Sequence, residues 1–179
     1  MDWTLRSGKT PSRNTGPTTA NNDDQYLYLE ASRNKYETAK LNTGCIDLSG
    51  LEKPVFSIAY HMYGSHMGSF SIKINENGGA YETLLFKEGN QGNVWNEKEF
   101  DLSNYAGKTV DIQIEGTIGY RYKSDIAIDG FFIGEKPEPC VIPEVELIIN
   151  HVTCNGLEDG TAEINVLNYD NGYLSLIHI

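Results

Sequence analysis

The sequence predicts an all-β chain: an antiparallel jelly-roll β-sandwich followed by a partial second β module at the C-terminal end. Three observations carry this. Short runs alternate apolar and polar residues, the period of a strand with one face buried. Gly- and Asn-containing turn signals separate those runs at short, regular spacing. No stretch of helical length repeats its apolar residues with a 3.6-residue period. The 18 Gly and 11 Tyr fit the same class, because Gly supplies tight turns and Tyr suits a pleated surface.

Residues 4–25 are rich in Thr, Ser, Asn, Asp and Gly and read as a long surface loop, with Gly16-Pro17 as a turn signal. Tyr26–Ala31 alternates strictly: Tyr26, Tyr28 and Glu30 on one face, Leu27, Leu29 and Ala31 on the other. This predicts a half-buried strand. Val55–Met62 is a strand whose apolar face carries Phe56, Ile58, Tyr60 and Met62. Phe70, Ile72 and Ile74 face the core of the next strand. Asn77-Gly78 predicts a hairpin returning through Tyr81–Phe86. Val94–Leu102 is a polar strand with Trp95, Phe100 and Leu102, and Tyr105-Ala106-Gly107 is a turn. Val110, Ile112 and Ile114 alternate with Asp111, Gln113 and Glu115; Ile126 and Ile128 alternate with Asp125, Ala127 and Asp129.

The composition shifts at residues 135–143, where Pro137, Pro139 and Pro143 make an extended linker that a sheet cannot absorb. Val145–Ile149 and Ala162–Val166 are new strands, the start of a second module too short to bury a core alone. Residues 174–179, Leu-Ser-Leu-Ile-His-Ile, read as a translated sequencing adapter and are set aside. Both ends read as cut ends, so the lack of an apolar leader core in residues 1–25 says nothing about export.

A formal charge of -11, from 14 basic and 25 acidic residues, argues against nucleic acid and anionic membranes as partners. No run approaches the roughly 18 apolar residues of a membrane span. Catalytic signatures are missing as well. His61 and His66 do not form His-Glu-x-x-His, and Gly64-Ser65-His66-Met67-Gly68 has its Ser one place early for a nucleophile elbow. Gly89-Asn-Gln-Gly92 lacks the Lys-Ser/Thr of a phosphate loop.

Asp125 and Asp129 lie on one strand face, roughly 13 Å apart end to end. That is too wide for one metal without other ligands, and too wide for a glycosidase pair. They read either as a solvated strand face or as candidates for a hard cation such as Ca²⁺, with Glu30 or the loop residues Asp23 and Asp24 completing the set. The three cysteines, Cys45, Cys140 and Cys154, permit three pairings and leave one thiol over.

Several runs occur in order: Thr15-Gly16-Pro17, Tyr26–Ser32, Tyr60-His-Met-Tyr-Gly64 with Met67-Gly68, Gly89–Trp95, and Asp125-Ile-Ala-Ile-Asp129. Together, over residues 1–134, they resemble the MAM domain, the module of meprin, the A5 antigen and a receptor phosphatase. The resemblance implies a jelly-roll sandwich in an extracellular or cell-surface protein, used for adhesion, self-association or substrate recognition; it does not imply an active site. It implies a Cys45–Cys140 disulfide, although Cys45 stands further ahead of the Tyr60 motif than usual. It also implies that an N-terminal edge strand of the family is missing. Two departures weaken a carried-over cation site: Ala20 and Gly130 stand where the family often has Asp. The run Val152–Ala162, within residues 144–173, resembles the opening of a SprB-type repeat of bacterial surface adhesins.

The expected function is therefore non-catalytic recognition by a secreted or cell-surface bacterial protein, binding a protein or glycan, with self-association as an option and no membrane insertion. An accessory substrate-recognition domain of a secreted peptidase is the alternative. A carbohydrate-binding jelly roll is the third reading, resting on fold analogy.

Overall fold

A computed structural model describes residues 1–136, 145–150, 161–166 and 175–178. The chain divides into two units, Met1–Lys136 and Pro137–Ile179.

The first unit is a sandwich of two antiparallel sheets. One sheet has the order β1-β2-β10-β5-β8, made of Thr4–Arg6 (β1), Tyr26–Leu29 (β2), Ile126–Glu135 (β10), Pro54–Met62 (β5) and Asn96–Asp101 (β8). The other has the order β3-β9-β6-β7, made of Thr38–Asn42 (β3), Thr109–Thr117 (β9), Ser69–Glu76 (β6) and Glu82–Glu88 (β7), with Ile46–Asp47 (β4) also pairing β9. Ser103–Tyr105 adds a single 3₁₀ turn. The all-β expectation holds.

The alternation read from the sequence builds the core. Leu29, Phe56, Ile58, Tyr60, Met62, Ile126 and Ile128 of one sheet bury against Phe70, Ile72, Ile74, Val110, Ile112 and Ile114 of the other. Tyr60 stacks on Phe70 at 5.3 Å between ring centroids, linking the two layers. Full burial of each large apolar side chain here contributes roughly 1.5–3 kcal/mol. The Asn77-Gly78 turn closes the β6–β7 hairpin with both residues at positive φ, 51° and 75°, as a tight hairpin of this kind requires.

Three expectations are corrected. The strand Tyr26–Ala31 is buried on both faces: Tyr26 is 2% and Tyr28 8% exposed. The reason lies in residues 4–25. They open with β1 and then fold back over the outer face of the first sheet, where Tyr26, Tyr28 and Ala127 pack with Ala20 and Trp95. Thr10 and Thr15 are buried in that cover. Asp125, read as half of a solvated face, is completely buried. The short strands β3 and β4 were not expected, because Thr-Ala-Lys-Leu-Asn and Ile-Asp carry too few alternating residues to signal themselves.

In the second unit Val145–Asn150 (β11), Thr161–Val166 (β12) and Ser175–His178 (β13) form an antiparallel sheet of order β11-β12-β13. The last strand lies in the segment set aside as an adapter; it pairs with β12 from Thr161↔His178 to Ile164↔Ser175. The SprB-like run Val152–Ala162 lies almost wholly outside the described residues.

Candidate functional site

Four connections meet at the end of the sandwich where β5 gives way to β6: residues 10–17, 63–68, 89–93 and 118–124. Backbone hydrogen bonds stitch them together. Gly16 N–H donates to Tyr63 O at 3.2 Å, and His66 N–H donates to Lys123 O at 3.1 Å. The Ser124 hydroxyl oxygen accepts from Gly119 N–H at 2.8 Å and Gly68 N–H at 3.3 Å. Glycine is required at these crossings. A Cβ on Gly64 would run into Lys123 O, and one on Gly119 into His66 O.

This framework presents Tyr120-Arg121-Tyr122-Lys123. Tyr120 is 50% and Tyr122 48% exposed. The His66 ring sits edge-on to both, at 4.6 and 6.1 Å between centroids. Desolvation, then the Arg121 and Lys123 charges, hold the His66 imidazole below its ordinary pKa. Lys123 also lies 5.9 Å above the Tyr122 ring. Beside Lys123 is a polar hollow of about 280 Å³ lined by Asn14, Tyr63, Gly64, Ser65, Asn90 and Lys123. A second, apolar hollow of about 340 Å³ lies between the sheet edges, with Leu5, Leu27, Leu41, Ile58, Ile128 and Phe131 in its wall.

The residues singled out from the sequence go to separate places. Asp125 Oδ1 accepts from Ala31 N–H at 2.9 Å, and Thr15 Oγ1 accepts from Asp125 N–H at 2.8 Å. Asp125 Oδ2 is buried with no partner. Burial pushes this carboxyl up to about 7, and the nearby Glu30 charge adds to the effect, while the Ala31 and Thr10 hydrogen bonds oppose it. Asp129 instead clamps the covering loop: its Oδ2 accepts from Asn21 N–H at 2.6 Å and Asn22 N–H at 3.2 Å. Glu30 Oε1 accepts from Ser32 N–H and the Ser12 hydroxyl. Among the described residues no group of three His, Cys, Asp or Glu side chains is placed to hold a metal ion. The expected Ca²⁺ set Asp125, Asp129 and Glu30 is thus three carboxylates with separate local partners.

His61 and His66 are also divided. His61 lies near the C-terminal end of β5 in the first sheet, 2% exposed and edge-on to Trp95 at 5.4 Å. Burial lowers its pKa to about 4, against a side-chain hydrogen bond with Asn93 that raises it. His66 belongs to the loop cluster. Cys45 is an exposed free thiol between β3 and β4, while its expected partner Cys140 lies outside the described residues.

Sequence reading missed the loop cluster. The turns at Gly16-Pro17, Gly64–Gly68 and Gly89–Gly92 were legible singly, but nothing local said that they meet or that Tyr-Arg-Tyr-Lys of 120–123 joins them. Asn14 and Asn90 reach the same hollow from 76 residues apart, which only the fold reveals.

The family described as "MAM domain, meprin/A5/mu" matches residues 1–140. Human "MAM domain-containing glycosylphosphatidylinositol anchor protein 1" is 33% identical over 162 residues, covering 83% of this chain and 17% of that protein. Neuropilin-1 of Xenopus laevis is 29% identical over 163 residues, covering 85% of this chain and 16% of that protein. The chain therefore spans about a sixth of the length of these relatives. Among solved structures, TmCBM61 in complex with beta-1,4-galactotriose superposes with a TM-score of 0.50 at 14% identity, covering 75% of this chain and 88% of that one.

Proposed function

The chain belongs to the MAM family, whose domains are extracellular adhesion modules, and from that premise we propose that residues 1–136 are a non-catalytic recognition module of a secreted or cell-surface protein. The observation that carries the proposal is the extent of the family match. It runs through residue 140 and so includes both sheets and all four loops of the stitched end. Rigid loops on a sandwich are where recognition residues concentrate, because the scaffold fixes them without constraining their chemistry. The finer placement, in a bacterial surface adhesin whose residues 144–173 begin a SprB-like repeat, rests on the run Val152–Ala162.

The test is binding without turnover. Incubated with casein, a glycan panel and p-nitrophenyl esters, the chain is expected to release no product. Turnover abolished by a single substitution at His61, His66, Asp125 or Asp129 would overturn the proposal.

A second reading, carbohydrate recognition, is favoured by the polar hollow at the loop end. Its wall is built from amides, hydroxyls and an aromatic ring rather than from apolar side chains.

A further inference from the structure

We propose that the hollow between Asn14, Tyr63, Ser65, Asn90 and Lys123 is a binding site for a carboxylate-bearing sugar unit, such as a hexuronate or a sialic acid. The inference rests on the reading of this chain as a non-catalytic recognition module and names the ligand class for one of its surfaces.

The hydrogen-bonding inventory is the first argument. Asn90 Oδ1 is occupied, accepting from Gly64 N–H at 3.3 Å and Gly92 N–H at 3.2 Å. This fixes the amide and leaves its Nδ2 donors free for a ligand. Among the described residues the Asn14 amide, the Ser65 hydroxyl, the Tyr63 hydroxyl and the Lys123 ammonium have no hydrogen-bond or ion-pair partner in the protein. Five residues whose polar side chains have unused capacity line one hollow of about 280 Å³. That volume is close to the roughly 300 Å³ at which small-ligand sites begin. Amides and hydroxyls both donate and accept, as adjacent sugar hydroxyls do.

Charge is the second argument. The chain carries -11 overall, yet Arg121 and Lys123 stand together here without an ion-pair partner among the described residues. The Lys123 ammonium, 5.9 Å from the centre of the Tyr122 ring on a residue that lines the hollow, matches one carboxylate on the ligand. A phosphate-rich ligand calls for more: bidentate arginines or a nest of backbone N–H groups. A peptide would need a free strand edge or a row of apolar pockets. The exposed Tyr120 and Tyr122 rings next to Lys123 offer flat surfaces to the neighbouring units of a longer saccharide.

Preorganisation is the third. The backbone hydrogen bonds between residues 10–17, 63–68 and 118–124, and the glycine-dependent crossings at Gly64 and Gly119, hold the wall in place before any ligand arrives. Binding then costs little ordering entropy.

Isothermal titration calorimetry of the full chain tests the site with four probes: trigalacturonate, its methyl ester, 3′-sialyllactose and lactose. The acid of at least one pair is expected to bind about tenfold or more tightly than its neutral counterpart, since a hydrogen bond to a charged group is the strongest contact available here. Which acid binds separates the uronate source from the sialate source. Lys123→Ala is expected to remove that preference and Lys123→Arg to keep most of it. Asn14→Gly, which suits the positive φ of 57° at that position, is expected to weaken acid and neutral probes alike. Lys98→Ala, on an edge strand outside the hollow, is the control, and an unchanged melting temperature shows that each variant is folded. Equal affinity for acid and neutral probes, an acid preference that survives Lys123→Ala, or no binding by either acid overturns the assignment. The recognition-module reading fails separately, by turnover of casein or of p-nitrophenyl esters.

Discussion

Asp125 and His61 show how much the surroundings of a residue decide. Both are polar side chains in strands or at strand ends, and both lie under the cover formed by residues 7–25 and Trp95. Burial shifts them in opposite directions, because it disfavours the charged form of each. The Asp125 carboxyl is raised to about 7 from 3.8. Between those values the folded chain holds a proton that the unfolded chain has lost, so stability falls as pH rises, and the loss is complete above about pH 7. His61 is lowered to about 4 from 6.5. Here the unfolded chain holds the extra proton, so stability rises with pH across that window. The two slopes oppose each other from about pH 4 to 6.5, and Asp125 acts alone just above. Asp125→Asn keeps an oxygen for Ala31 N–H and removes the ionisation. It is expected to remove the falling contribution, so that chemical denaturation of the variant shows stability rising through pH 4–6.5 and flat from pH 6.5 to 7.5. A variant with the parent's pH profile would show that Asp125 titrates normally.

Among the elements, strands with long alternation were legible and short ones were not. The strands β5, β6, β9 and β10 each place at least two large apolar residues on one face, and the β6–β7 turn announces itself through Asn77-Gly78. β1, β3 and β4 have five residues or fewer, and their positions come from the neighbours they pair with, β2 and β9. The loop elements were legible only as Gly-rich turns. What the turns do depends on a crossing: Gly119 packs its Cα face on His66 O. Gly119→Ala is expected to force the 63–68 and 118–124 loops apart and to cost about 2–4 kcal/mol, within the range of steric lesions that break a named contact. Thermal or urea denaturation measures it, and a variant as stable as the parent would mean that the crossing can relax.

For the whole molecule, the expected link is covalent. Cys45 is exposed between β3 and β4, where a bond to Cys140 would tether the exit of the first unit. We expect the pair to form under oxidising conditions. It would close a loop of about 95 residues, for which the chain-entropy treatment gives roughly 4–5 kcal/mol. Peptide mapping without reduction should recover a Cys45–Cys140 linked peptide; quantitative alkylation of both thiols in air-oxidised protein would refute the bond.

The sequence by itself determined the class and the core of this protein. Alternation with period two fixes which residues turn inward, and Phe56, Tyr60, Phe70, Ile72 and Ile112 follow that pattern irrespective of strand order. The ordered motifs from Thr15-Gly16-Pro17 to Asp125–Asp129 likewise placed residues 1–134 in their family. Only the tertiary structure decided what lies over the outer face of the first sheet, and so that Asp125 is buried and Asp129 holds a loop. It alone brought Asn14, Tyr63, Asn90 and Lys123 to one hollow. The physical reason is range. Periodicity is a property of neighbours along the chain, whereas burial of a face and convergence of loops depend on contacts between residues about 75 to 110 positions apart, which no local pattern records.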